Sequence, residues 1–205
     1  MVIAFDLDDT LCPEMEFVRS SYREIARIYG LHLLPAMYAA ATTAAAFDST
    51  GLPEEIFLPL YRYHFPDISL PMPSLYTLAA LRNSGHTLAL VTDGREATQQ
   101  NKIEALRLKR FMAPDNIFVS EQCGHPKTDG YAFRTLMQRY PSAGYMYVGD
   151  NPEKDFRTPR SLGWITVCLL DSGRNIHPQH LKGVEEASLP NLMIKSLYEL
   201  PDLVI

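Results

Sequence analysis

The sequence predicts an α/β protein: a doubly wound parallel sheet with an all-helical block inserted after its first strand. Three observations carry that reading. Short apolar runs rich in β-branched and aromatic residues recur along the chain, and helical patterns lie between them. One stretch, 13–73, holds helical patterns with no convincing strand. Strands that alternate with helices build a parallel sheet covered on both faces.

The first strand is Val2-Ile3-Ala4-Phe5, stopped at once by a cluster of acids. The run 15–29 reads as an amphipathic helix with Val18, Tyr22, Ile25, Ala26 and Tyr29 on one face and Gly30 as its stop. The run 37–47 reads as a single Ala-rich helix. The run 53–65 reads as a helix opened by Pro53-Glu54-Glu55, a proline and two acids suited to the positive end of a helix dipole. Leu75, Leu78, Ala79 and Leu81 make a further helix that ends before Gly85. Strands are expected at 87–91, 117–119, 145–148 and 165–170. Helices are expected at 97–108, from an Asp129 cap to about Tyr140, and at 153–162 before Gly163. The segment 192–200 reads as a packing helix. The expected division is a core of 1–12 and 74–205 and a helical cap of 13–73. A lid over a site is the natural reading of that cap, with plain packing decoration as its alternative.

Composition narrows the function classes. Hydrophobic residues make up 46% and charged residues 21% of the 205, a globular balance that rules out a wholly disordered chain. The net charge of -5 argues against a nucleic-acid binder working through a broad basic surface. Three cysteines, an odd number, argue against a disulfide scaffold. No basic leader and no uncharged apolar run of membrane-spanning length is present, so the expectation is a soluble, cytoplasmic protein without a membrane partner.

Four clusters carry chemistry, and each lies at an expected strand end, where an open parallel sheet binds its ligands. The first is Asp6-Leu7-Asp8-Asp9-Thr10. Three acids in four residues repel one another unless a cation compensates, and oxygen ligands of this kind suit Mg²⁺. Asp6 and Asp8 are two apart, so extended backbone points them the same way, one as a nucleophile and the other as a general acid or base. The second is Val91-Thr92-Asp93-Gly94, a hydroxyl and free backbone N–H groups able to hold phosphate oxygens. The third is Lys127, placed to neutralise a phosphate or carboxylate. The fourth is Gly149-Asp150 with Asp155, acids able to complete an oxygen-ligand metal site. Asp155 reads equally as an acid favoured in the first turn of a helix.

In this order the four clusters resemble the motifs of the haloacid dehalogenase-like (HAD) superfamily: D-x-D-x-T, a hydrophobic run ending in Ser or Thr, a Lys, and G-D-x-x-x-x-D. The resemblance covers nearly the whole chain and implies a Rossmann-like core with a C1-type helical cap. It implies that Asp6 is the nucleophile that forms an aspartyl-phosphate. Asp8 would protonate the leaving oxygen and then activate water. Asp6, the Asp8 backbone carbonyl and Asp150 would hold Mg²⁺. Thr92, the N–H groups of Asp93 and Gly94, and Lys127 would bind the phosphoryl group, with Asp155 orienting Lys127 or a metal-bound water. Asp9 stands where the family often has Gly, and its role is left open. The family's dehalogenases lack an acid at the position of Asp8, so its presence favours phosphoryl chemistry. A phosphomutase of the same architecture and a non-catalytic phosphate-binding scaffold are the alternatives.

The cap bears on the substrate. No Lys or Arg stands between Arg27 and Arg62, so this stretch offers no cationic clamp. The expected ligand is a small phosphorylated metabolite, a sugar phosphate or a nucleoside monophosphate. Arg19, Tyr22, Arg23, Arg62 and His64 are the polar candidates on the cap, each equally readable as a solvent-facing residue. Cys12, Cys123 and Cys168 are not spaced like a metal site, His125 reads as a loop histidine, and Trp164 and Tyr145 as core aromatics.

Overall fold

A computed structural model of the chain describes residues 1–180 and 183–204; Leu181, Lys182 and Ile205, which fall in the range assigned to the core, lie outside the described residues. Six strands form one sheet: β1 (Val2–Phe5), β2 (Thr87–Thr92), β3 (Ile117–Val119), β4 (Tyr145–Gly149), β5 (Ile165–Leu169) and β6 (Leu192–Ile194). All pairings are parallel and the order is β3-β2-β1-β4-β5-β6, the doubly wound arrangement that reverses direction beside β1. Phe5 stands in register with Leu90 on one side and Val148 on the other, so the loops after β1, β2 and β4 leave the sheet side by side.

Every residue of β1 is buried. Alternation sends Ile3 and Phe5 to one face, with Leu88, Leu90, Met146 and Val148, and Val2 and Ala4 to the other, with Ala89, Val91, Tyr147 and Trp164. Between β1 and β2 the chain forms α1 (Glu14–Tyr29), α2 (Leu34–Ala39), α3 (Thr43–Thr50), α4 (Glu54–Tyr63) and α5 (Met72–Asn83). The first four share an apolar cluster of their own, with Val18, Tyr22, Ile25, Met37, Ala46 and Phe57 at its centre. The boundary expected at 73 falls inside the first turn of α5, and α5 packs Leu78 and Leu81 onto the sheet. Next come α6 (Glu96–Ala105), α7 (Ser120–Cys123), α8 (Tyr131–Arg139), α9 (Arg157–Ser161) and α10 (Leu200–Leu203). Among the described residues no helix is long and apolar enough to cross a membrane.

Three expected elements differ. The single helix at 37–47 is two, α2 and α3, because Ala40 is extended and the Thr42 hydroxyl caps a new start by accepting from Ala45 N–H at 3.1 Å. The helix expected at 153–162 is only α9. Asp155 turns back to accept the backbone N–H groups of Asp150 and Asn151, which holds 152–156 in turns. The packing helix at 192–200 is instead strand β6, a capped turn at Leu197–Glu199 and then α10. Three residues are too few for periodicity to declare a strand.

Candidate active site

Asp6 extends β1 by one ladder bond, donating its N–H to Val148 O at 2.9 Å. Its buried carboxylate accepts Leu7 N–H on Oδ1 at 2.8 Å and lies 3.0 Å from Lys127 Nζ through Oδ2. Burial pushes the Asp6 carboxyl up to about 7, against the pull of Lys127. The chain then turns tightly, with the N–H groups of Leu11 and Cys12 both donating to Leu7 O. Asp9 sits at the crest with φ +55°, a conformation that Asp tolerates better than most residues. Its carboxylate accepts Glu14 N–H at 2.8 Å and Ile176 N–H at 3.2 Å. That gives Asp9 a role: it ties α1 and the loop after β5 to the acidic turn.

Lys127 is buried and gripped from three sides. Its ammonium lies 2.7 Å from Asp155 Oδ1 and 3.0 Å from Asp6 Oδ2, and donates to Tyr147 Oη at 3.3 Å. Burial pulls the lysine down, and Asp155 and Asp6 together reverse this, so it stays charged well above the ordinary lysine range. Asp155 Oδ2 accepts Asp150 N–H at 3.1 Å and Asn151 N–H at 2.9 Å. A Cβ on Gly149 would meet that oxygen at 2.4 Å, so glycine is what lets Asp155 approach the strand end.

Asp150 accepts from Thr10 Oγ1 at 3.1 Å and from Asn175 Nδ2 at 2.8 Å. Burial, then the charges of Asp155 and Asp6, push it up to about 8. Oxygens of Asp6, Asp150 and Asp155 lie within 4.8 Å of one another. Three crowded, buried carboxylates, with Asp6 and Asp150 driven upward in pKa, fit a divalent cation held by oxygen, the donor set Mg²⁺ takes. Asp155 is 1% exposed against 8% for each of Asp6 and Asp150, so those two present more of their carboxylates to the gap. Among the described residues no backbone N–H donates to the Asp8 carbonyl, so that oxygen is free to serve beside them.

Thr92, at the end of β2, accepts from Gln99 Nε2 at 2.9 Å, so its own hydroxyl hydrogen is uncommitted. Asp93 Oδ1 accepts Lys127 N–H at 2.9 Å and locks the second cluster to the third. Gly94 N–H donates to Ser120 Oγ at 3.0 Å. Asp6, Asp8, Thr92, Asp93, Lys127, Asp150 and Asp155 line one cavity of about 180 Å³ together with Asp9, Glu14 and His177. Gly94 lines a second, of about 200 Å³, on the far side of Asp8 with Tyr61, Arg62 and Arg95. The description of haloacid dehalogenase-like hydrolases matches residues 1–163.

The chain belongs to the haloacid dehalogenase-like hydrolase family.

Relatives of this hydrolase differ in chemistry. A glyceraldehyde 3-phosphate phosphatase of Methanocaldococcus jannaschii is 26% identical over 234 aligned residues, covering 98% of this chain and 96% of the relative. The HAD phosphatase of Thermococcus onnurineus matches at TM-score 0.61 and 19% identity, over 99% of this chain and 97% of its own. The L-2-haloacid dehalogenase of Xanthobacter autotrophicus matches at TM-score 0.66 and 14% identity, with the same coverage of 99% and 97%. A fold shared with both does not select the reaction; the side chains at the strand ends do.

Of the polar residues singled out on the insert, Arg62 alone reaches a cavity beside the acidic loop. Arg19 and Tyr22 line a separate cavity of about 440 Å³ between the insert and Ile176 of the loop after β5. Arg23 donates to Asp67 O at 3.2 Å. His64 is buried between Tyr61 O, at 3.1 Å, and Ser20 Oγ, at 3.2 Å. His125 pairs with Asp129 and stacks on Tyr131. The three cysteines are free, and burial pushes Cys12 up to about 12, which makes it inert as a thiolate. The motifs did not announce Gln99 and Lys102, which hold Asp8. A signal was present: 99, 102, 103 and 106 form one helical stripe, and the first two are polar where Ile103 and Leu106 are core.

Proposed function

We propose that this hydrolase is a Mg²⁺-dependent phosphatase that cleaves a small phosphomonoester through an aspartyl-phosphate on Asp6. The observation that carries this reading is the pair of carboxylates in one cavity with unlike partners: Asp6 against Lys127, and Asp8 against Lys102 and Gln99. Two acids in different settings divide the nucleophilic and the proton-transfer roles. Asp6 attacks phosphorus. Asp8 gives its proton to the departing oxygen, then takes one from the water that hydrolyses the intermediate. Lys127 offsets charge on the nucleophile and the phosphoryl group, and the Thr92 hydroxyl donates to a phosphoryl oxygen. Asp6, Asp150 and the Asp8 carbonyl would hold Mg²⁺, which when bound neutralises charge on the acids and the transferring group.

The cavity of about 180 Å³ at Asp6 adjoins the one of about 200 Å³ across Asp8, room suited to a small phosphorylated metabolite such as a sugar phosphate. The named activity of the Methanocaldococcus relative points the same way. Phosphate release should be followed over a panel that includes glyceraldehyde 3-phosphate, with Mg²⁺ and with chelator. Wild-type protein should release free phosphate only with Mg²⁺. Asp6→Asn should lower turnover by roughly 10⁴-fold or more while circular dichroism stays native, the scale expected when a nucleophile is lost. Phosphate retained on an isomerised sugar would mean a mutase, and zero turnover over the whole panel would mean a non-catalytic binder.

A further inference from the structure

The Asp8 carboxylate is held from the core side by two side chains of one helix. Lys102 Nζ lies 2.7 Å from Oδ1 and Gln99 Nε2 lies 3.0 Å from Oδ2. Three positions apart on α6, these residues share a face, and both are buried, at 4% and 2% exposure. A carboxylate on a loop is otherwise free to rotate. A donor on each oxygen fixes its plane, and the charged donor makes the stronger bond.

Neither residue is explained by packing alone. A buried ammonium is costly without a partner, and among the described residues Asp8 is the one carboxylate within 4.0 Å of Lys102. The remaining cover comes from the insert: Phe17 of α1 places its ring centroid 4.4 Å from Nζ, which shields the pair from water. Gln99 turns its amide nitrogen to three oxygens, those of Asp8, Thr92 and Asp93, and leaves its buried Oε1 without a hydrogen-bond partner among the described residues. Rotating the amide would set Oε1 against the Asp8 carboxylate and the Asp93 carbonyl. An apolar residue would avoid the orphaned oxygen, as Ile103 does one position beyond Lys102.

We propose that Lys102, assisted by Gln99, is the positioning residue for the acid–base carboxylate Asp8, an inference that rests on the role given to Asp8 above. In the first half-reaction the Asp6 oxygen bonds to phosphorus as the bond from phosphorus to the leaving oxygen breaks. The Asp8 proton moves to that oxygen, and the resulting carboxylate stays fixed on Lys102, which keeps its three protons. In the second, water attacks phosphorus, its proton returns to Asp8 and the Asp6–phosphorus bond breaks. Lys102 touches neither substrate nor the reacting atoms; it sets where the proton is delivered.

Leaving-group dependence tests this. An alkyl phosphate needs a proton on its departing oxygen, whereas 2,4-dinitrophenolate leaves without one. Single-turnover release from glycerol 3-phosphate and from 2,4-dinitrophenyl phosphate should be compared for the wild type, Lys102→Met, Lys102→Arg, Asp8→Asn and the double variant Asp8→Asn/Lys102→Met. Lys102→Met should slow the alkyl substrate roughly 100-fold and the dinitrophenyl substrate less than about threefold, in line with the usual worth of a placed general acid. Lys102→Arg should restore part of the alkyl rate. The double variant, which buries no unpaired charge, should be no slower than Asp8→Asn alone. Equal losses on both substrates with Lys102→Met, or additive losses in the double variant, would overturn the positioning role while a selective Asp8→Asn leaves Asp8 in its place. Equal losses with Asp8→Asn itself would overturn the role of Asp8, and this proposal with it.

Discussion

At the carboxyl edge of the sheet, polar side chains bond across long stretches of sequence: Thr10 to Asp150, Lys127 to Asp155, Lys127 N–H to Asp93. In the insert they bond mostly to their own helix: Ser21 to Val18, Ser49 to Ala46, Thr50 to Phe47, Arg27 to Glu24. What holds the insert together is apolar, above all Phe57, which packs on Phe47 at 5.0 Å and Tyr61 at 6.0 Å between ring centroids. The contrast says where the two regions tolerate change. A network of buried charges fails when one member moves, because each group it abandons keeps its desolvation penalty. A packed cluster loses stability in proportion to the volume removed and leaves distant geometry alone.

The largest expected effect on stability falls in the insert. Phe57→Ala should destabilise it by about 3–5 kcal/mol, the usual cost of emptying a buried Phe site, read from denaturant unfolding. Turnover of a small aryl phosphate at low temperature should stay within about threefold, as chemistry built on the core requires. A collapse of that turnover would break the separation between the regions. Next is Gly149→Ala. The added Cβ would displace Asp155, so kcat should fall about 100-fold through misplaced Lys127, with KM little changed. Retained kcat would mean that Lys127 does not depend on Asp155.

A third test uses pH and metal together. Asp6 and Asp150 keep their protons up to about 7 and about 8 in the fold, but only to about 4 when unfolded. Between those limits the folded state binds more protons, so metal-free stability falls as pH rises from about 4 to about 8. Mg²⁺ favours the ionised acids, and its stabilisation of Tm should therefore be larger at pH 8 than at pH 5.5, by a few degrees in a thermal melt. An equal shift at both pH values would place the cation elsewhere. The smallest effect is expected for Asp9→Gly. It removes acceptors for Glu14 and Ile176 but suits φ +55°, so unfolding should cost only about 1 kcal/mol less. A loss several times greater would make Asp9 part of the charged network rather than a tie to the insert.

The same contrast governs what the sequence reveals. The strand-end clusters were legible because chemistry demands particular residues at fixed offsets, and Asp6, Thr92, Lys127 and Asp150 do converge on one cavity. Residues that serve them from a helix carry no such spacing: Lys102 and Gln99 show only as polar interruptions of an apolar stripe. The break between α2 and α3 was missed because alanine favours helix everywhere, and only the cap at Thr42 decides otherwise. Strand β6 was missed because three residues beside β5 gain their conformation from that neighbour and not from their own pattern.

The central position of β1 also has a consequence for how the molecule comes into being. This strand is flanked by β2 and by β4, whose first residue lies more than a hundred positions downstream, and Thr10 reaches its partner only across 140 residues. During synthesis Asp6 is therefore made long before the acids that complete its surroundings. High contact order of this kind slows folding and leaves a half-built sheet with an unpaired inner edge. Until Asp150 and Asp155 have emerged and docked, the nascent chain carries an acidic loop without an enzyme, and premature arrest anywhere before β4 yields a species prone to self-association.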